Sequence, residues 1–172
     1  MLQEELKKFE IGEYAVCPGH GVAQVCDIES REIGGEELSF YILKTVSNGM
    51  TVMVPTNSTT GIRALVETDD IDEVYKLLND HDVKVDNSPW NRRHREYMAK
   101  VKTGSLLEIA DVLRALFLLK GQKSLSFGEK QMLNQCRDLL SREISLTSGH
   151  EKESIDDKIN SYFESDSEEA NL

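Results

Sequence analysis

Trp90 is the single tryptophan of the chain and opens a short cationic run, Trp90-Asn91-Arg92-Arg93-His94-Arg95-Glu96-Tyr97-Met98-Ala99-Lys100-Val101-Lys102. Arg92, Arg93, Arg95, Lys100 and Lys102 stand against Glu96 alone, within a chain whose formal net charge is -11. A flat apolar ring beside guanidinium groups has two uses against a polyanion. It can wedge at a base step in the minor groove while the arginines hold phosphates. It can also stack on an unpaired base, worth about 1–3 kcal/mol. The same spacing has a plain structural reading. Trp90, Tyr97 and Val101 fall on one helical stripe, which would bury the ring in a core. Arg92–Glu96 and Glu96–Lys100 are then i, i+4 pairs on an exposed helix face. On the residues alone, both readings stand.

Other chemistry is thinly represented. The chain has no Gly-x-Ser-x-Gly, no Gly-x-x-x-x-Gly-Lys-Ser/Thr, no His-Glu-x-x-His and no Gly-x-Gly-x-x-Gly, the motifs that would announce a nucleophile elbow, a phosphate loop, a zinc protease or a dinucleotide fold. His20, His81, His94 and His150 are scattered singly, so no nucleophile, base and orienter set emerges. The expectation is a protein that is not an enzyme and needs no cofactor. Cys17, Cys26 and Cys136 are odd in number, which suits a reducing compartment better than a disulfide framework. Cys17-x-x-His20 with Cys26 lacks a fourth ligand at finger-like spacing, so no metal site is expected. No apolar run approaches the roughly 20 residues of a membrane span, and the N-terminus lacks the apolar core of a signal peptide, which points to the cytoplasm.

Elements to position the Trp90 run can be read on both sides. Residues 9–65 alternate like strands. Tyr14–Val16 leads into Pro18-Gly19-His20-Gly21, and Val22–Ile28 follows. Gly34-Gly35 and Asn48-Gly49 are hairpin turns, flanking Leu38–Lys44 and Met50–Val54. Pro55, which has no N–H to give, suits a strand end or sheet edge. Four or five short strands in so few residues predict a small Tudor-like or SH3-like β-barrel. Beyond residue 67 the period becomes helical. Thr68-Asp69-Asp70 predicts a cap for a helix carrying Ile71, Val74, Tyr75 and Leu78. Ser88 is expected to cap the Trp90 helix, with Pro89 at its first position. Ser105-x-x-Glu108 and Ser126-x-x-Glu129 are capping boxes before two more apolar stripes. Ser154 is the expected start of a last helix using Ile155, Ile159, Tyr162 and Phe163. The fold class is therefore α+β: a small β-barrel over residues 8–65, a compact all-α domain over 68–163, and an acidic tail, 164–172, without fixed structure.

The quoted residues also carry a resemblance. Phe9-Glu10-Ile11-Gly12-Glu13-Tyr14-Ala15-Val16-Cys17-Pro18-Gly19-His20-Gly21-Val22, Ser39–Leu43, Asn48-Gly49-Met50 with Val54-Pro55, Trp90-Asn91-Arg92-Arg93, and Phe127-Gly128-Glu129-Lys130-Gln131-Met132-Leu133 resemble the CarD/CdnL family of bacterial transcription regulators. The likeness runs in the same order over roughly residues 9–147. The pattern looks most like the stand-alone CdnL form, since no further DNA-binding tail follows the helical module. Cys17 and His94 depart from the family, where tyrosine is common at each.

The resemblance implies a division of labour. A Tudor-like domain would dock on the β subunit of RNA polymerase, partly by strand pairing. The helical domain would reach promoter DNA at the upstream edge of the transcription bubble, with Trp90 as the minor-groove wedge that favours the open complex. Carried over onto this chain, Arg92, Arg93 and Met98 would flank the wedge and Lys130 would add a phosphate contact. Leu43, Met53 and Pro55 would form the polymerase surface. The implied partners are polymerase and promoter DNA within its complex, with no membrane involved and the chain acting as a monomer. An adaptor whose helical face binds another protein, and not DNA, is the alternative. An acidic chain repels nucleic acid at long range, but docking on polymerase would make DNA contact nearly intramolecular.

Overall fold

The computed structural model of the protein describes residues 8–57 and 61–168. The chain divides into two compact units, one up to Leu65 and one from Val66 onward.

The first unit is an antiparallel sheet of four strands among the described residues: β1 (Tyr14–Cys17), β2 (Gly21–Ile33), β3 (Glu36–Thr45) and β4 (Thr51–Pro55), paired in the order β1-β2-β3-β4. This is the expected small Tudor-like sheet, with each strand folding back on the last. Gly34 and Gly35 join β2 to β3 with φ of 63° and 84°, the pair of left-handed residues that a two-residue turn following the strand twist requires. The second hairpin differs from expectation. Asn48 does not take a positive φ; only Gly49 does, and the loop runs over residues 46–50. The Asn48 side chain instead accepts from the Thr45 hydroxyl and the Met50 N–H, trading a left-handed backbone for side-chain hydrogen bonds. Between Val25 and Asp27 the β2–β3 register slips, leaving Cys26 at a bulge that bends the sheet. Phe9, Ala15, Val25, Tyr41, Leu43 and Val54 pack inside that bend. Phe9 closes the unit by donating its N–H to the Tyr41 hydroxyl at 3.1 Å, with the two rings edge to face.

The second unit has five helices among the described residues: α1 (Thr68–Asn79), α2 (Trp90–Lys102), α3 (Leu106–Lys120), α4 (Phe127–Ser148) and α5 (Lys152–Glu168). Their apolar stripes meet around Leu78, Leu113, Leu116, Leu140, Ile144 and Ile159. Phe117 and Phe163 stack at 4.3 Å, with His81 stacked on the other ring partner, Phe163, at 4.9 Å. Ser105 and Ser126 cap α3 and α4 through the N–H groups of Glu108 and Glu129, as their spacing predicts. Three helix starts differ. Glu67, and not Thr68, precedes α1, its N–H bonded to the Asp70 carboxylate. Pro89 lies just outside α2 rather than at its first position, and the Ser88 N–H is taken by Asp86. α5 begins at Lys152, before Ser154, with Lys152 bridging Asp138 and Asp156. The same helix carries on past Glu164, where an unstructured tail was expected, to Glu168. No glycine or proline interrupts that stretch. The end of the expected tail, 169–172, lies outside the described residues.

Candidate functional site

α2 starts abruptly. Proline fixes φ near the helical value, and Pro89, at φ −54°, offers its carbonyl to the N–H groups of Arg92 and Arg93. Trp90 is thereby the first helical residue. Tyr97 and Val101, on its stripe, are buried, while Trp90 itself is half-buried at the rim of the helical core. Neither simple reading of the sequence describes it: Trp90 packs against the core without being buried in it.

Arg93 explains the anchoring and corrects its own assignment. It stands three residues after Trp90 and four before Tyr97, which turns it toward the core. Only 2% of Arg93 is exposed, so as folded it does not present a guanidinium to a phosphate. Its Nε donates to the Ser88 carbonyl at 2.8 Å, its Nη2 to Glu129 Oε1 at 3.2 Å, and its guanidinium carbon lies 5.1 Å from the centre of the Trp90 ring. Glu129 is equally buried. Beyond its capping-box contact with Ser126, its carboxylate faces Arg93, with Lys123 at 3.5 Å. Burial alone would push the Glu129 carboxyl up. The Arg93 hydrogen bond and the Lys123 charge outweigh that and hold it below the usual carboxylate range.

Gly128 completes the seat. A Cβ built there would lie 2.9 Å from the indole Nε1, closer than packed side chains allow, so the ring rests on the bare backbone of α4. Gly128→Ala is therefore expected to shift Trp90. Overpacking costs about 1–3 kcal/mol, partly offset by the better helix propensity of alanine. The expected result is a changed Trp90 emission spectrum with a small change in thermal midpoint. An unchanged spectrum would show that the contact does not set the ring.

Around this seat the surface is less cationic than the composition implies. Lys100 is neutralised by Asp111, whose carboxylate also takes Arg114. Arg92 is outward, its side chain 73% exposed, and loosely paired with Glu96 at 3.4 Å. Arg95, Lys102 and Lys130 are exposed. Met98 is half-buried on the core. His94 meets the Trp90 ring edge-on at 5.3 Å. Phe127, which the sequence reading places in a capping box and in one of the motifs carrying the resemblance but gives no role, is 82% exposed beside Gly128. It adds a second open aromatic next to the Trp90 seat, signalled by an aromatic residue in the first turn, off the apolar stripe of α4.

The sheet unit holds the second surface. β4 is an edge: only β3 pairs with it among the described residues. Met53, 41% exposed, lies opposite Ile42, and exposed Pro55 lies opposite Phe40. Leu43 requires correction. It is fully buried between Val25 and Val52, because successive strand residues face opposite sides. Its neighbours Phe40 and Ile42 carry the outer face, and both are half-buried there. The same alternation, counted outward from Met53, identifies them.

The three cysteines are free thiols, two of them buried. Burial pushes the Cys17 thiol up to about 11 and the Cys136 thiol to about 12, and Cys26 sits exposed at the bulge. Among the described residues no three His, Cys, Asp or Glu side chains are grouped to hold a metal ion, and no helix is long and apolar enough to cross a membrane.

Comparisons with known proteins cover both the sheet unit and the helical unit. Residues 9–66 match the CarD-like/TRCF RID domain, and residues 73–160 match the CarD C-terminal domain. YdeB of Bacillus subtilis (strain 168), whose name proposes a transcription factor, is 30% identical over 143 residues, spanning 82% of this chain and 93% of that protein. The solved structure of CdnLNt from Myxococcus xanthus is 40% identical, covering 35% of this chain and 87% of that one, with a TM-score of 0.30. The chain belongs to the CarD/CdnL family of RNA polymerase-interacting transcription factors.

Proposed function

We propose that the outer face and free edge of β3–β4, with Met53, Pro55, Phe40 and Ile42, dock on the β subunit of RNA polymerase. Held there, the helical unit sets Trp90 into the minor groove at the upstream edge of the transcription bubble and stabilises the open complex. The observation that carries this reading is the seat of Trp90. A half-exposed indole is fixed by Arg93 and Gly128 at the start of a helix, so little conformational freedom remains to be lost on contact. Arg92 and Lys130 supply phosphate contacts, Met98 extends the apolar surface of the same helix, and Arg93 acts by positioning. The protein acts in the cytoplasm as a monomer, without a cofactor or a catalytic step of its own. Tethering raises the effective concentration of the helical unit to about millimolar, which answers the repulsion that a net charge of -11 sets up against DNA.

The test is the lifetime of open complexes on a linear promoter. Wild-type protein is expected to lengthen it, and Trp90→Ala to lose most of the gain while keeping its helical circular dichroism. A lost stacking or wedging contact of about 1–3 kcal/mol corresponds to a roughly 5- to 150-fold shorter lifetime. Full activity in Trp90→Ala sinks the wedge. Exposed Phe127 and the internally neutralised Lys100 and Arg93 favour the adaptor alternative. Crosslinks from position 90 that reach protein and never DNA would establish it.

A further inference from the structure

A cavity of about 630 Å³ lies between the α3–α4 connection and the side of α4. Lys120, Lys123, Lys130 and Arg137 all line it, and none of the lining residues is a carboxylate. In so acidic a chain this convergence is unusual, and the fold makes little use of it. Arg137 is held by neutral groups, Nη1 donating to Asn160 at 3.0 Å and Nη2 to Asn134 at 2.8 Å, so it is oriented without being neutralised. Lys120 sits 6.0 Å above the Phe117 ring. Among the described residues neither Lys120 nor Lys130 has a carboxylate partner within ion-pair distance. Lys123 alone does, through Glu129 at 3.5 Å. Glu164 lines a neighbouring cavity that shares Lys120 and Arg137. Buried Leu125 and Leu133 form an apolar wall.

Four like charges that share a single carboxylate counter-charge repel, and the repulsion is relieved by a multivalent anion. The volume falls in the range of small-ligand sites. We propose that this cavity binds a small anion carrying two or more phosphates, with the lysines and Arg137 on the phosphates and the leucine wall free to accept a base. Lys130 would then be shared between this ligand and the DNA contact proposed above, so that occupancy competes with that contact. Binding itself is independent of whether Trp90 touches DNA.

The experiment is calorimetric titration of the full chain with inorganic tripolyphosphate and, separately, with ATP at low salt. Saturable binding is expected, weakened at least tenfold in Lys120→Gln/Lys130→Gln and unchanged in Trp90→Ala. Both lysines are exposed at the cavity or its rim, so folding should survive, and Arg137→Lys gives a second variant that keeps the charge but loses the two-asparagine clamp and should bind more weakly. ATP binding more tightly than tripolyphosphate places a base on the leucine wall; equal affinities leave the phosphates as the recognised group; both support the site. No saturable binding at millimolar ligand, or equal binding by the double variant, overturns it. So does binding of duplex DNA alone.

Discussion

Arg93→Ala is expected to destabilise the helical unit by about 3–5 kcal/mol, because it strands Glu129 as a buried charge. The half-exposed Lys123 and the neutral Ser126 hydroxyl would be left beside that carboxylate. The change also removes the guanidinium from the Trp90 ring and from the Ser88 carbonyl. Trp90 is the only tryptophan, so its emission in a urea titration follows this unit directly. Replacing both partners together, Arg93→Met with Glu129→Leu, should recover most of the loss, since an apolar pair of similar volume avoids both desolvation costs. The pH dependence carries a definite sign. Glu129 is held below its ordinary value in the folded protein. Its contribution is thus present above the unfolded carboxylate range and is lost as pH falls through the lowered folded value. In Arg93→Ala the unpaired carboxyl should titrate higher and prefer its proton. The stability gap between wild type and variant should therefore narrow as pH falls from 7 toward about 4. A gap that stays constant would mean that the pair is not the source of the loss.

This pair also shows where the sequence is legible. Hairpin glycines, serine caps and apolar periods act within a few residues, and β2–β3, α3 and α4 were readable from them. A cationic run is not resolved in the same way. Arg92 and Arg93 are adjacent and chemically alike, yet the helical turn sends one to solvent and the other to the core. The outcome depends on Glu129, a distant residue whose local motif suggested a cap. Gly128 is harder still, since nothing nearby in the chain says that an indole will rest on it. Asn48-Gly49 marks a turn correctly, but the loop type was decided by the Asn48 side chain, which found partners in Thr45 and Met50. In the sheet the alternation puts Leu43 and Ile42 on opposite faces without saying which of the two is inner. The run Leu38–Leu43 is apolar at nearly every position, so the pattern within it leaves this open. The partners Val52 and Val54 across the hairpin decide that.

Leu43 and Pro55 should consequently part company when mutated, though resemblance put them on one surface. Leu43→Ala removes a fully buried side chain from a small core, at a cost of about 2–5 kcal/mol. A unit of this size has little stability in reserve, so polymerase binding should fall because the sheet itself is depleted. That loss should be reversible by cooling or by a stabilising osmolyte. Pro55→Arg changes an exposed strand end instead. Its stability should stay within about 0.5 kcal/mol of wild type, while a bulky cation on the apolar edge formed with Met53, Ile42 and Phe40 should weaken polymerase binding by at least about 2 kcal/mol, roughly 30-fold. Neither osmolyte nor temperature should restore it. The two are separated by following amide hydrogen exchange in β2 and β3 through denaturation alongside pull-down of the β subunit. Should Pro55→Arg bind polymerase normally while Ile42→Glu does not, the docking surface lies on the outer face of the sheet and the edge of β4 is only its border. Normal binding by both variants would remove the β3–β4 surface from the proposal altogether.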